Sequence, residues 1–320
     1  MDSLVKKGKW NIIVRTQGEN NQLELKNALY SIISQDYENK SIIIIIHSDK
    51  EDTIRNTEDF INNFKNLIEI KTIVAREKQD VRSYPLNLGL QNIDGEYVSF
   101  LDHDDIYYPN MGSLLIEELT KEKKSFAFGD SVQVEQRKMT DFSGKEYLYT
   151  KNKNRRKRTK FNKLYLLLDN FIPFNSFVMR TSLVGETTFD ERLEFLEDWD
   201  FLKKISLKEE FSVSQLKQPV SEYRRRYDET DTYNKKTEKR WRKARKITDS
   251  SIKGHNITTT VEEVLDLREE YIKQIREYEE TINRVTNSAG YKAWSRIERN
   301  KLFSKTVLRL VREIRHLVRD

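Results

Sequence analysis

The sequence predicts an α/β fold in which a parallel sheet carries helices on its faces. Three observations predict it. Short β-branched apolar runs recur along the first hundred residues, amphipathic segments of helical period alternate with them, and one run ends in a cluster of aspartates.

Residues 10–15 (WNIIVR) read as the first strand. Leu23, Leu25, Ala28, Leu29, Ile32 and Ile33 follow at helical spacing. Residues 41–47 contain five consecutive isoleucines, Ile42 to Ile46, whose shortness and branching indicate a buried strand. Residues 54–64 form an amphipathic helix, 68–74 a third strand, 86–91 a helical turn and 97–101 a fourth strand. Nucleotides bind such sheets at the carboxyl ends of the strands.

Composition removes several chemistries. There is no cysteine, so disulfides, thiolate metal sites and cysteine nucleophiles are excluded. The four histidines, His47, His103, His255 and His316, have no ligand spacing. Neither a glycine-rich dinucleotide turn nor a GxxxxGK[ST] phosphate loop is present. The net charge of +6 resides in the tail, where residues 287–320 hold nine Lys/Arg against three Asp/Glu. The near-neutral remainder argues against a basic nucleic-acid cleft. Residues 1–10 lack the apolar core of a signal peptide, and no run of about 18 apolar residues occurs. A cytoplasmic protein is therefore expected.

The fourth strand runs into Asp102-His103-Asp104-Asp105. Carboxylates at a strand's carboxyl end suit Mg²⁺ or Mn²⁺ that also coordinates a substrate diphosphate. Taken alone, the cluster reads equally well as an acidic turn before a helix starting near Pro109.

Residues 82–90 (RSYPLNLGL), then 95–105 (GEYVSFLDHDD), are similar to the core of the family-2 glycosyltransferases. Residues 12–16 (IIVRT) and 29–37 (LYSIISQDY) resemble that family's first strand and helix, and the likeness runs from about residue 10 to 226. It implies the GT-A fold, a mixed and mostly parallel sheet flanked by helices. It further implies that Thr16, Gln17 and Asp49 line a nucleoside pocket, Arg82 reaches the diphosphate, Asp102 faces the ribose or sugar, and Asp104 holds Mn²⁺ or Mg²⁺.

A second acidic group, residues 189–200 (FDERLEFLEDWD), suggests a helix N-terminus packed near a site. Glu197-Asp198-Trp199 resembles the family's ED motif, which makes Asp198 the base of an inverting displacement and Trp199 a wall for a sugar ring. Two separated carboxylate groups also fit a glycosidase pair, but the nucleotide-type sheet counts against that. Many family members carry a metal-binding histidine after the segment matching 220–224. Here Arg224-Arg225-Arg226 stand instead, and these arginines, with Arg224 named as a site residue, are expected to clamp the diphosphate. Residues 151–160 (KNKNRRKRTK) read as a solvated basic loop, or as a contact for phosphate on a lipid-linked acceptor or membrane. Residues 171–179 match the family's acceptor-side strand.

The expected domains are a GT-A catalytic domain over 1–226 and a helical extension over 227–320. Within the extension, Val264, Tyr271, Ile275, Tyr278, Ile282 and Val285 follow a three-four spacing broken only by Arg268, which reads as a short coiled-coil-like seam (261–286), compatible with a homodimer, or as a helix docked on the main domain. Residues 291–318 form a basic amphipathic helix, either packed on its own domain or peripheral at the inner face of a membrane. The implied activity is transfer of a sugar from a UDP- or dTDP-sugar donor to a hydroxyl of a glycan or lipid-linked acceptor in cell-surface polysaccharide synthesis. Its rivals are a metal-dependent nucleotidyltransferase and a non-catalytic assembly partner.

Overall fold

The computed structural model describes residues 8–18, 21–76, 82–155, 160–226, 237–288, 290 and 292. In chain order the elements are β1 (Trp10–Thr16), α1 (Gln22–Ile33), β2 (Lys40–His47), α2 (Glu51–Asn62), β3 (Glu69–Ala75), α3 (Ser83–Leu90) and β4 (Tyr97–Asp102). They continue with β5 (Ile106–Tyr107), α4 (Met111–Lys121), β6 (Phe126–Thr140), β7 (Glu146–Arg155), α5 (Lys163–Leu168), β8 (Phe177–Arg180) and α6 (Thr181–Val184). Last come α7 (Glu197–Ser206), β9 (Val213–Arg226), α8 (Glu238–Ser251) and α9 (Val261–Asn287).

Among the described residues the strands form one sheet in the order β3-β2-β1-β4-β8-β6-β9-β5, with β7 added on β6. β3, β2, β1 and β4 are mutually parallel, while β8 runs antiparallel to β4 and β6. Chain order reverses between β1 and β4, so their carboxyl ends flank a crevice of the kind that takes ligands in open α/β sheets.

The isoleucine run shows why the sheet is buried on both faces. Ile42, Ile44 and Ile46 join one core with Trp10, Val14 and residues of α1, α2 and α4. Ile43 and Ile45 join the other, with Ile13, Phe100, Phe177, Phe189 and Trp199. Side chains of a strand alternate in direction, so a continuous apolar run requires cover on both sides. α3 sits close on β1: a Cβ at Gly89 would lie 2.6 Å from Ile13 Cγ2.

The basic segment corrects the expected loop. Residues 151–155 belong to β7, the outer strand of a hairpin paired antiparallel with β6. Backbone pairing with β6 satisfies the amides on one edge, Lys153 and Arg155 pair with Glu222 and Asp130, and the exposed charges discourage another strand from pairing on the open edge. Residues 156–159 lie outside the described residues.

The first compact unit runs to Thr258, past the boundary expected at residue 226, because α8 packs against α7. The second unit begins at Thr259. Its helix α9 starts with a complete capping box: Glu263 N donates to Thr260 Oγ1 at 3.2 Å and Thr260 N to Glu263 Oε2 at 2.9 Å. Every position of the coiled-coil-like seam is exposed in α9. The helix expected over 291–318, with its membrane contact, lies outside the described residues apart from Lys292. No described helix is long and apolar enough to cross a membrane.

Candidate active site

A cavity of about 620 Å³ opens at the carboxyl ends of β1 and β4. That is the size of a small-molecule site. One wall carries Arg15, Arg82, Asp102 and Asp105 from the strands and the start of α3. The other carries Glu197, Asp198 and Trp199 of α7 and Trp241, Arg242 and Arg245 of α8. Tyr223 and Arg225 of β9 also line it.

Arg15 joins the two walls. Its Nε and Nη2 donate to Asp102 Oδ1 and Oδ2 at 2.8 and 3.0 Å, and its Nη1 donates to Glu197 Oε1 at 3.0 Å. Nη1 also donates to the Arg82 carbonyl at 3.0 Å. Burial disfavours the guanidinium's charge, but the two carboxylates outweigh it and hold Arg15 more firmly protonated than usual. Burial likewise pushes Asp102 up, and Arg15 more than reverses this, leaving the carboxyl below its ordinary range.

Asp198 differs. Burial first, and the Glu197 charge second, raise its carboxyl to about 6. The Trp199 N–H, donating at 2.7 Å, and the Asn170 amide, donating at 3.3 Å, oppose the shift without cancelling it. A carboxylate with that affinity is suited to accept a proton near neutral pH. Its aim is set by Leu196, which turns left-handed at φ 65° just before α7. For a leucine this costs about 1–2 kcal/mol, and it lets Glu197 point to Arg15 while Asp198 borders the cavity. α3 steadies the approach. Asn87 Nδ2 donates to Phe189 O and Glu191 Oε1, Phe189 N donates to Asn87 Oδ1, and Ser83 Oγ donates to Asp190 O.

Not every sequence expectation converges here. Arg82, Asp102, Glu197, Asp198 and Trp199 line the cavity, whereas Thr16, Gln17, Asp49, Asp104 and Arg224 do not. Thr16 is fully buried, its hydroxyl accepting from Gly18 N at 3.1 Å, while Gln17 and Asp49 are exposed at the carboxyl ends of β1 and β2. Of the three arginines, Arg225 reaches the cavity. On β9, Tyr223 and Arg225 turn to the cavity, and Arg224 turns away to pair with Glu222 at 2.9 and 3.0 Å. Arg226 follows Arg224, pairing with Glu24.

The sequence reading gave no site role to Arg15 or to α8, and it named Asp105 and Arg225 only as members of the aspartate cluster and the arginine run. Arg15 carried a signal, because a charge inside a fully buried strand must find partners. Asp105 stood in the aspartate cluster, but no local pattern gave its partners, Asn175 Nδ2 at 2.9 Å and Arg224 N at 2.7 Å, both far along the chain. Burial, then the Asp104 charge, hold that carboxyl well above its usual range.

The donor set bears on a metal. Both oxygens of Asp102 accept from Arg15, and both of Asp105 accept from protein donors, which leaves Asp104, partly buried, as the carboxylate of the motif without such an assignment. No group of three His, Asp or Glu side chains that could hold an ion occurs among the described residues. These residues fit an ion held by one carboxylate with diphosphate and water oxygens, as Mg²⁺ is commonly held, and not a preformed protein cage.

The family model for glycosyl transferase family 2 matches residues 12–184, more than half of the chain. The chain belongs to that family. An uncharacterized glycosyltransferase of Rickettsia conorii is 30% identical over 185 residues, covering 57% of this chain and 29% of that protein. Another, of Rickettsia typhi, is 27% identical over 183 residues and 54% of its length. The chain thus spans about a third to a half of these two relatives. Among solved structures, S. aureus TarS in complex with UDP-GlcNAc superposes with a TM-score of 0.59 at 17% identity, covering 78% of this chain and 68% of that one. The mannosyltransferase PcManGT of Pyrobaculum calidifontis, in complex with GDP-Man and Mn²⁺, gives 0.53 at 10% identity, over 94% and 87%. Both carry the fold argument, and the fold of the family member described here is GT-A.

Proposed function

We propose that the chain transfers a sugar from a nucleotide-diphosphate donor, UDP- or dTDP-linked, to a hydroxyl of a glycan or lipid-linked acceptor, with inversion at the anomeric carbon. The observation that carries this reading is Asp198. It borders a cavity that also holds Arg82 and Arg225, and its carboxyl is raised to about 6. Similarity to structures solved with UDP, UDP-GlcNAc and GDP-Man supports the donor class.

In the proposed step the acceptor oxygen attacks the anomeric carbon from the side facing Asp198. The bond from that carbon to the diphosphate breaks, and the nucleoside diphosphate leaves with the electron pair. The acceptor proton passes to Asp198. Arg82 and Arg225 stabilise the leaving diphosphate as charge-assisted donors. Asp104 would hold Mn²⁺ or Mg²⁺, which when bound supplies further charge neutralisation there. Arg15 touches no reacting atom in this reading and acts by fixing Asp102 and Glu197. One displacement with one base inverts the stereochemistry. We place the activity in cell-surface polysaccharide synthesis at the cytoplasmic face of a membrane.

Calorimetric titration with UDP, dTDP and GDP, with and without Mn²⁺, tests this reading on the wild type and Asp104→Ala. Metal-dependent binding of one nucleotide, weakened in Asp104→Ala, is expected. Absence of binding by all three nucleotides in both conditions would overturn the transferase and favour a non-catalytic assembly partner.

A further inference from the structure

Helix α9 is 27 residues long, about 40 Å, and none of its side chains is buried. Its apolar residues nevertheless follow one stripe. Val261, Arg268, Ile275 and Ile282 fall at successive a positions of a heptad, and Val264, Tyr271, Tyr278 and Val285 at d. The stripe is open to solvent: Val261, Ile275, Tyr278 and Ile282 are 77, 55, 69 and 60% exposed. A helix in a protein draws most of its stability from covering such a face, and an exposed apolar stripe of this length marks an interaction surface.

The charges along the stripe indicate what covers it. Arg268 is the one charge in the a and d series, and the flanking e and g positions over 260–286 hold one charge, Glu279. The other charges of α9 lie on the outer b, c and f positions. Within one helix Arg268 and Glu279 are eleven residues apart, roughly 16 Å along the axis, and cannot pair. Arg268 pairs with its neighbour Glu269 at 2.8 Å, where both side chains are well exposed and the pair contributes little.

Two copies lying parallel and in register would set Arg268 against Arg268 and leave each Glu279 about three turns away. Two antiparallel copies related about Lys273 differ. Val261 of one then meets Val285 of the other, and Val264 meets Ile282. Arg268 lies against Tyr278 of the second copy, a cation over a ring, with Glu279 of that copy beside it. Both charges of the seam are then matched.

We infer that α9 is a homodimerisation helix through which two copies of this chain pair as an antiparallel coiled coil, Arg268 of each matched to Tyr278 and Glu279 of the other. A second copy is the occupant because the stripe carries its own complement in that register. The inference stands independently of the transferase reading.

The full chain is tested by sedimentation equilibrium and by cross-linking, for which the absence of native cysteine leaves a clean background. Wild type is expected to be a dimer at micromolar concentration. Ile275→Asp combined with Ile282→Asp should weaken that dimer by about 100-fold or more. Under oxidation, Val264→Cys combined with Ile282→Cys should give covalent dimers, whereas neither single variant should, because each thiol faces the other position. Arg268→Glu and Glu279→Arg should each weaken the dimer by about tenfold, and the two together should restore most of it. Such rescue cannot arise inside one helix, so it separates pairing between copies from a disturbed α9. A monomeric wild type would overturn the inference and point to another segment of the chain as the cover. Covalent dimers from either single cysteine variant would overturn the antiparallel pairing, as would failure of the charge exchange to rescue.

Discussion

The strand wall of the cavity holds its charge through one guanidinium shared by two carboxylates, Arg15 between Asp102 and Glu197. The helix wall holds its buried cation in another way. Lys203 of α7 is fully buried, and its ammonium reaches Thr248 Oγ1 at 3.1 Å and Asp249 Oδ1 at 3.0 Å on α8, where Asp249 is half exposed. Burial lowers the Lys203 ammonium below its usual value, with Asp249 opposing. Asp200 adds a second tie across the same seam, accepting from Ser251 Oγ at 2.6 Å. The difference lies in what is left behind when the cation is removed. Without Arg15, a nearly fully buried Glu197 loses its ion-pair partner among the described residues. Without Lys203, Asp249 can turn to water.

The largest effect is expected where the two walls meet the chemistry. Asp198→Asn should lower the transfer rate by about 10²–10⁴-fold while nucleotide affinity and thermal midpoint hold. Retained activity would remove Asp198 as the base. Next comes the contrast between the walls. Arg15→Met should lower unfolding stability by about 3–5 kcal/mol, because it strands buried carboxylates, whereas Lys203→Met should cost about 1 kcal/mol or less, because a hydrophobic isostere replaces the cation and its partner is solvated. Urea midpoints of the two variants measure this directly, and equal losses would break the comparison.

The smallest effect concerns pH. Asp198 accepts a proton only when ionised, so transfer should rise with pH through about 6 and level off above it. The Asn170 amide favours the ionised form, so Asn170→Ala should move that rising limb to higher pH, by less than the shift burial itself causes. A limb displaced to lower pH would contradict the assignment of that hydrogen bond.

The residues that local pattern can disclose were legible beforehand. The five isoleucines implied a strand covered on both faces, the aspartates fell at a strand's carboxyl end, and the helical spacing over 261–286 matched α9. Periodicity and residue chemistry determine such features within a few residues, so the sequence alone carries them. Tertiary structure decided the rest. Arg15 and Glu197 lie 182 residues apart, and no local pattern encodes their meeting. Which arginine of β9 faces the cavity depends on a register against β6 that shifts twice, between Phe128 and Asp130 and between Asp130 and Ser131. A slip of one residue exchanges the faces of a strand, so Arg225 lines the site and Arg224 does not. α8 reaches the cavity because a buried lysine, a buried aspartate and one aromatic stack dock it on the base's helix, and those contacts exist only once both helices are in place.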